Sequence, residues 1–232
     1  MKLIITRPQI DAATLAAKLK ALGHSAMIAP VLDVVPRAGL VIPSLPYQII
    51  CLSSANGMRC LTVALDLQIP VYAVGQQSAA AARARGFAHV ESEGGDVDGL
   101  VRHIASSLKQ NGGPLLYLSG AETSGDLEGR LRACGYSVTR VVTYDAHACP
   151  LDAYAAAIQS CDAVLLYSAR TAKLWLGEME RLNLLKGAAA LRYFCLSPQV
   201  AKALPQNWRK SVAKSPTEES LLALLDLPVE AE

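Results

Sequence analysis

Residues 71–87, VYAVGQQSAAAARARGF, place an apolar run, a turn and a helix-forming run in direct succession. Residues 71–74 predict a strand, and the alanine-rich residues 79–85 predict a helix. The first turn of a helix has free backbone N–H groups, so residues 75–78 could bind an anion such as a carboxylate. The lysine of a P-loop and the Gly-x-Gly-x-x-Gly pattern are both absent. Such a turn more often only connects a strand to a helix, and both interpretations remain open.

The composition indicates a folded globular protein and excludes several classes of partner. Of the 232 residues, 52% are hydrophobic and 18% are charged, which is unlike a disordered chain. The formal net charge is +2, only 5% of the residues are aromatic, and basic residues do not cluster, so we expect no nucleic-acid partner. We also expect no membrane contact and a cytoplasmic location, because no transmembrane-length apolar run and no signal peptide is present.

Cysteine and histidine residues give no sign of a metal site. The six cysteines are scattered without a Cys-x-x-Cys pair, and the four histidines do not lie at ligand spacing from cysteines or carboxylates. We therefore expect no metal. The cysteines are expected to be small core residues in a reducing compartment.

Strand-like and helix-like runs alternate along the chain, which predicts an α/β protein. The ten strand candidates are KLIIT, SAMIAPV, YQIICLS, PVYAVG, AHVES, PLLYLS, SVTRVVTY, DAVLLYS, RYFCLS and SVAKS. Many are continuous apolar runs, which indicates burial on both faces, as in a parallel sheet covered by helices. Helix-like stretches such as residues 11–22 and 126–134 separate them. Ten strands are many for one parallel sheet, so we predict two sheets in two domains.

An internal repeat supports two related domains. Residues 15–25 (LAAKLKALGHS) match residues 127–137 (LEGRLRACGYS) at five identical positions and at two positions that stay basic. QIICLSSA, which ends at Ala55, resembles AVLLYSA, which ends at Ala169, and VGQQSAAA resembles LSPQVAKA. The order of the repeats along the chain is therefore A, B, A′, B′.

Two segments, residues 33–46 and 145–150, contain proline and are interpreted as linkers. They enclose an inserted domain, residues 37–147, which contains B and A′. Residues 1–36 and 148–232 form the other, discontinuous domain. A division into AB and A′B′ also fits the repeats, but the linkers favour the insertion. Two chain crossings between the domains predict a hinge, with a ligand cleft between the domains.

The chain resembles the uroporphyrinogen-III synthase family over nearly its whole length. The resemblance rests on the order and spacing of short motifs, which are ITRP, CLSSANG, AVGQQSA, LEGRLRACGYSV, VVTYDA, LLYSARTA, CLSPQVAKAL and SPTEESLLALL. It implies two flavodoxin-like lobes with parallel sheets, joined by a two-stranded linker. It also implies an active-site cleft between the lobes.

The resemblance further implies a lyase that needs no cofactor and acts in tetrapyrrole biosynthesis. In this family the linear tetrapyrrole hydroxymethylbilane loses its hydroxyl to give an electrophilic azafulvene. Ring D is then inverted through a spiro intermediate, and the macrocycle closes to uroporphyrinogen III with net loss of water. We expect a monomer that makes transient contact with the preceding synthase. The alternative is a non-catalytic bilobed protein of the same fold that binds a tetrapyrrole or regulates its use.

The implied substrate carries acetate and propionate groups on every pyrrole, and backbone N–H groups at helix starts can bind them without lysine. Parallel strands end at one edge of a sheet, so the turns after five strands are expected to face the cleft. Ser54 and Ser168 are equivalent in the repeats, and either could instead only cap its helix. The substrate-binding candidates in these turns are Ser53, Ser54, Gly75, Gln76, Gln77, Ser119, Gly120, Ser168, Ala169, Ser197, Gln199 and Val200.

Three further residues are assigned roles through the resemblance. Tyr144 matches the linker tyrosine of the family, although it could instead be a strand residue that packs its ring under a lobe. A phenol, with an ordinary pKa of about 10, is protonated at neutral pH and can donate to the departing hydroxyl. Ser78 could bond a carboxylate or the leaving group, or serve as a helix N-cap. Arg7 follows the first strand and could pair with a propionate, or be a solvated surface residue.

Two departures from the family pattern motivate the non-catalytic alternative. Relatives often carry basic residues after the strand that matches LLYLSG, where this chain has Ala121, Glu122 and Gly125. Relatives also often carry threonine where this chain has Gln199 and Val200. The reaction depends more on folding the substrate than on strong acid–base chemistry, so we expect an active enzyme.

Overall fold

The computed structural model of the chain describes residues 1–92, 96–123 and 125–226. The chain divides into two compact units. Unit 1 combines Met1–Asp33 with His147–Glu232, and unit 2 is Val34–Ala146. Each unit contains one sheet with helices on both faces, so the predicted α/β class with two parallel sheets is confirmed.

Eleven strands run through the described residues. In chain order they are β1 (Lys2–Ile5), β2 (Ser25–Ile28), β3 (Leu32–Pro36), β4 (Ile49–Leu52), β5 (Val71–Ala73), β6 (Val90–Ser92), β7 (Leu115–Gly120), β8 (Val138–Ala148), β9 (Ala163–Leu166), β10 (Arg192–Cys195) and β11 (Arg209–Val212). Each of the ten predicted strand runs overlaps one of these strands, although SVAKS overlaps β11 only at residues 211–212. The additional strand, β3, was predicted as part of a linker.

Ten α-helices lie in the described residues. They are α1 (Gln9–Ala21), α2 (Ala55–Arg59), α3 (Gln76–Ala84), α4 (Val97–Ser107), α5 (Leu127–Ala133), α6 (Ala155–Ile158), α7 (Ala169–Arg181), α8 (Leu185–Ala190), α9 (Pro198–Lys202) and α10 (Glu218–Leu222). Short 3₁₀ segments cover Asp152–Tyr154 and Ala223–Asp226. In this part of the chain, no helix is long and apolar enough to cross a membrane.

The sheet of unit 1 has the strand order β2-β1-β9-β10-β11, with every pairing parallel. Counted within the unit, this is the 2-1-3-4-5 order of flavodoxin-like folds. The sheet of unit 2 has the order β3-β8-β7-β4-β5-β6. If β7 and β8 are counted first, the strands from β8 to β6 follow the same 2-1-3-4-5 order, and β3 is added at the edge. The repeated sequence segments therefore occupy equivalent positions in the two sheets.

Each sheet is buried on both faces, as the continuous apolar runs predict. In β4, for example, Ile50 and Leu52 pack into the core on one face, whereas Ile49 and Cys51 pack into the core on the other. In β1, Ile4 and its neighbours Leu3 and Ile5 divide between two cores in the same way. Burial on both faces holds each strand in register and fixes where its carboxyl end lies.

The two segments predicted as linkers are partly strand. The first includes most of β3, which ends at Pro36, and the second overlaps the end of β8, which continues to Ala148. Proline is tolerated there because β3 is an edge strand whose outer backbone groups need no partner in the sheet. β3 lies beside β8, and Arg37 Nε and Nη2 donate to both carboxylate oxygens of Asp145, at 2.7 and 2.9 Å.

The close approach of α2 to β7 gives a test of the packing. A Cβ atom on Gly57 would lie 2.5 Å from the backbone carbonyl oxygen of Leu118, which cannot move without distorting the sheet. We expect Gly57→Ala to lower the free energy of unfolding by about 2 kcal/mol in urea denaturation, although alanine normally favours a helix. Gly177→Ala in α7, where a Cβ would meet nothing within 4 Å, is the control and should leave stability unchanged or raised. Equal effects of the two substitutions would contradict this packing.

Candidate functional site

The strand order of each sheet reverses at one point, and these two points locate the candidate sites. In the first sheet the reversal lies between β1 and β9, and in the second it lies between β7 and β4. Helices leave such neighbouring strands on opposite faces, so a crevice forms beyond their carboxyl ends, and ligands of open α/β sheets bind there. About half of the predicted site residues lie at these two points, and the others lie in the turns after β5 and β10.

At the reversal point of the second sheet, the hydroxyls of Ser53 and Tyr117 are hydrogen-bonded at 2.7 Å. Ser53 follows β4, and Tyr117 lies in the neighbouring strand β7. The pKa of Tyr117 is raised, mainly because the side chain is buried, while the hydrogen bond with Ser53 opposes the shift. Tyr117 therefore stays neutral at physiological pH and fixes the position of the Ser53 side chain.

Arg140 of β8 brings a positive charge to this edge that the sequence analysis missed. Its Nε donates to Ser119 Oγ at 2.8 Å, and its Nη2 donates to the carbonyl oxygens of Gly120 and Ala121 at 2.8 and 2.9 Å. Its Nη1 also lies 3.7 Å from a carboxylate oxygen of Glu128. Arg140 thus ties the end of β7 to β8. The available signal was one arginine inside the strand run SVTRVVTY.

The ring of Tyr144 lies directly against Gly120. A Cβ atom on Gly120 would be 2.6 Å from Cζ and 2.9 Å from Oη of Tyr144, so only glycine leaves room for the phenol. The backbone N–H of Ala121 donates to the Tyr144 carbonyl at 3.0 Å. Tyr144 is 9% exposed, and its hydroxyl has no hydrogen-bond partner among the described residues. Packing holds the ring while the hydroxyl remains available to a ligand.

Helix α3 begins directly after Gly75, earlier than the alanine run predicts. Gly75 is the N-cap residue and no side chain caps the helix. The N-cap interpretation of Ser78 is therefore wrong, because Ser78 lies inside the first turn and is only 5% exposed. Gln76 and Gln77 are exposed. Without a capping side chain, backbone N–H groups at the start of α3 can serve a ligand, as an anion-binding turn requires.

Three candidate serines cap helices. Ser54 accepts from the N–H two residues later at 3.3 Å, and Ser197 accepts from the N–H three residues later at 3.4 Å. Ser168 forms a capping box with Thr171, in which each side chain accepts from the other residue's backbone N–H. The capping interpretation of Ser54 and Ser168 is confirmed, and their role in substrate binding stays a prediction.

The remaining candidates of unit 1 differ in exposure. Ala169 is the first residue of α7, and Gln199 lies exposed in α9. Val200 is 3% exposed and packs in the core on one face of the first sheet. Because its side chain is surrounded by core residues and its N–H is bonded to Ser197, Val200 is removed from the substrate-binding set.

Arg7 lies at the reversal point of the first sheet, where protein groups already pair with it. Its guanidinium contacts Asp11 at 2.9 Å and Glu218 at 3.3 Å, and it lies 4.4 Å from the centre of the Tyr167 ring. Lys18 also contacts Glu218, at 2.5 Å. The Arg7 side chain is 11% exposed, so it is not the solvated surface residue that the sequence offered as one alternative.

The side chains at this edge form a cluster in which positive and negative charges pair. We call it the Arg7 cluster; its members are Arg7, Asp11, Lys18, Tyr167 and Glu218. Burial raises the pKa of Tyr167, and the negative charge of Glu218 raises it further. A ligand carboxylate at Arg7 would have to displace Asp11 or Glu218 from a partly desolvated ion pair. That exchange offers little gain, because the guanidinium already has two carboxylate partners.

No metal centre is found within residues 1–92, 96–123 and 125–226, because no three histidine, cysteine or acidic side chains there could hold an ion. The six cysteines are free thiols. Burial raises the pKa of Cys51 to about 12 and that of Cys195 to about 11, so neither forms a thiolate nucleophile at neutral pH. Thiol chemistry is therefore not available at these two positions.

Comparison with known proteins relates the chain to one family. A family model described as uroporphyrinogen-III synthase HemD matches residues 13–223. The solved uroporphyrinogen-III synthetase of Helicobacter pylori is 16% identical over 97% of each chain, with a TM-score of 0.67. A mutant uroporphyrinogen III synthase of Thermus thermophilus is 17% identical over 97% of each chain, with a TM-score of 0.58. These structures show the shared fold, whereas the family model shows the family. No curated protein sequence matches the chain.

The Arg7 cluster predicts a difference between two adjacent glutamates of α10. Glu218→Gln removes a charge that faces both Arg7 and Lys18, so we expect urea denaturation to show a loss of about 1–2 kcal/mol in unfolding free energy. Glu219→Gln is the control, because Glu219 is exposed. It should change stability by less than about 0.5 kcal/mol. If both substitutions had the same effect, the cluster would not stabilise unit 1.

Proposed function

The chain belongs to the uroporphyrinogen-III synthase family and is therefore a cyclising lyase, and we propose that the carboxyl edge of the second sheet carries its chemistry without a cofactor. The proposed reaction converts hydroxymethylbilane to uroporphyrinogen III. One observation carries the assignment of the site: the Tyr144 hydroxyl lies at the reversal point of the second sheet with no hydrogen-bond partner among the described residues. The crevice at a reversal point is where this fold class binds ligands.

Tyr144 acts as the proton donor to the leaving group in this proposal. The hydroxymethyl C–O bond breaks as electrons from the pyrrole nitrogen form the exocyclic double bond of the azafulvene. The oxygen leaves as water with a proton from the phenol, and the pyrrole N–H proton is released. Tyr117 is unsuited to this role, because its hydroxyl is buried against Ser53 and its pKa is raised. Tyr117 instead holds the Ser53 side chain in place beneath the site.

The later steps require the enzyme to hold a folded substrate rather than to supply further acids or bases. The azafulvene methylene is attacked by the substituted carbon of ring D, which gives the spiro intermediate. Fragmentation and recombination then invert the ring and close the macrocycle. Holding the two ends of the linear substrate together replaces an improbable encounter with a preorganised one, which is a large effect in catalysis.

Carboxylate binding falls mainly to backbone N–H groups in this proposal. The uncapped start of α3 at Gln76 and the turn after Ser53 provide such groups in unit 2. Arg140 adds a fixed positive charge beside Gly120. The helix starts at Ser168 and Ser197 are further candidates in unit 1. A net charge of only +2 is compatible with this design, because the positive potential is local to the turns.

We also propose that the protein acts as a cytoplasmic monomer and makes only transient contact with the synthase that supplies hydroxymethylbilane. The six free cysteines favour a reducing compartment. A substrate that cyclises spontaneously must be captured soon after its release, which is the reason for expecting such contact. The monomeric state and the transient contact can be tested by sedimentation of the protein alone and with the preceding synthase.

Product isomer analysis tests the proposed function. Hydroxymethylbilane is generated in situ with the preceding synthase, this protein is added, and the products are oxidised and separated into type I and type III uroporphyrins. We expect type III to dominate, because spontaneous closure without inversion of ring D gives type I. If a folded, substrate-binding protein yielded only type I, the catalytic assignment would fail and the non-catalytic alternative would replace it.

Tyr144→Phe removes the proposed proton donor while keeping the ring against Gly120. We expect kcat to fall about 100-fold, with KM little changed, because the hydroxyl acts on the leaving group and not on the carboxylates. Tyr136→Phe is the matched control. Tyr136 is a buried tyrosine of unit 2 whose hydroxyl donates to backbone carbonyls of Ile104 and Leu108. It should lose stability but keep wild-type kcat, and equal loss of kcat in both variants would remove Tyr144 from the mechanism.

A further inference from the structure

The pairing of β7 with β8 shifts by one residue next to Gly120. Ser119 lies opposite Val142, but the next residue of β7, Gly120, lies opposite Tyr144. Thr143 is therefore an extra residue in β8, which makes this a β-bulge. A bulge redirects the side chain that follows it. Here the redirected side chain is Tyr144, the proposed proton donor.

We propose that Thr143 is a positioning residue that holds this bulge through its hydroxyl and thereby places Tyr144 over Gly120; this inference rests on the proposed function. Thr143 is completely buried. Its Oγ1 lies 2.9 Å from the carbonyl oxygen of Gly57 in α2 and 3.3 Å from the carbonyl oxygen of Ser119 in β7. The hydroxyl thus joins β8 to both neighbouring elements at the bulge.

The chemical reason for threonine follows from the unpaired backbone groups at a bulge. Strand pairing is interrupted there, so nearby carbonyl groups lose regular partners while remaining buried. A hydroxyl supplies one donor that two converging carbonyl oxygens can share. These carbonyls converge because α2 packs tightly on β7, where Gly57 leaves no room for a side chain beside Leu118. Valine would fill the same volume without a donor.

Other contacts also confine the same segment, and one of them is a backbone bond in which the N–H of Arg37 donates to the Thr143 carbonyl at 2.9 Å. Arg140, three residues before Thr143, bonds the end of β7 through Ser119 and Gly120. The N–H of Ala121 bonds the carbonyl of Tyr144 just after the bulge. Thr143 is the element between these contacts, so loss of its hydroxyl lets the bulge relax while both ends stay attached. The expected result is a displaced phenol in a folded protein.

Three substitutions separate positioning from stability. Thr143→Val removes the donor at nearly constant volume, and Thr143→Ser retains it. Thr6→Val is the matched control, because Thr6 is equally buried and its Oγ1 donates to a strand-end carbonyl, that of Leu165, at 2.9 Å in unit 1. Each valine variant leaves buried carbonyl oxygen without this donor, so comparable losses of stability are expected.

The first readout is the ¹³C NMR signal of Tyr144 in protein labelled at tyrosine Cζ. The chain has eight tyrosines, so the spectrum should contain eight signals. Tyr144→Phe identifies the signal. We expect Thr143→Val to shift it, and Thr143→Ser and Thr6→Val to leave it at the wild-type position. An unchanged Tyr144 signal in folded Thr143→Val overturns the inference, whether or not the protein is active.

The second readout is catalysis by the same variants. We expect Thr143→Val to lower kcat about 10-fold or more with KM little changed, and to raise the type I share of the product, since small misplacements of a catalytic group are costly. Thr143→Ser should restore kcat, and Thr6→Val should keep it. Failure of serine to restore kcat, or an equal loss in Thr6→Val, contradicts positioning. If wild-type protein makes only type I, the proposed function fails, while the Tyr144 signal still decides the positioning role.

Discussion

The reversal of strand order in a parallel sheet is the constraint on which the rest of this structure depends. Neighbouring strands at that point send their helices to opposite faces, and the carboxyl ends of the strands remain uncovered. Both sheets have this arrangement, between β1 and β9 and between β7 and β4. Every side chain argued to matter for function here is placed by one of these two edges.

The two edges carry different side chains, although the repeated sequence segments give both sheets the same strand order. In unit 1, Arg7 is neutralised by Asp11 and Glu218. In unit 2, hydroxyl groups and one arginine line the edge. The hydroxyl of Tyr144 there has no hydrogen-bond partner among the described residues. The equivalent edges of the two sheets thus carry different side chains, and this difference is the reason for assigning the proposed proton donor to unit 2.

The fold was largely predictable from the sequence. Continuous apolar runs indicate strands that are buried on both faces of a sheet, and the internal repeats indicate two equivalent units. Roles that depend only on neighbouring residues in the sequence, such as the helix cap at Ser168, were also predictable. Arg7 was misjudged because its partner Glu218 lies far away in sequence. Thr143 was missed because its proposed role arises from a one-residue shift between strands, which no periodic pattern records. Arg140 was missed because its side chain bonds residues of a neighbouring strand that lie about 20 positions away in sequence.

Hydrogen exchange measured by mass spectrometry, with and without bound uroporphyrinogen III under anaerobic conditions, tests the central claim most directly. That claim assigns the chemistry to the open edge of the second sheet. The account predicts slower amide exchange in the turns at residues 53–57, 75–78 and 119–121, where backbone N–H groups and Tyr144 meet the ligand. It predicts little change around the Arg7 cluster. Protection around Arg7 with none in the three turns of unit 2 would contradict the account.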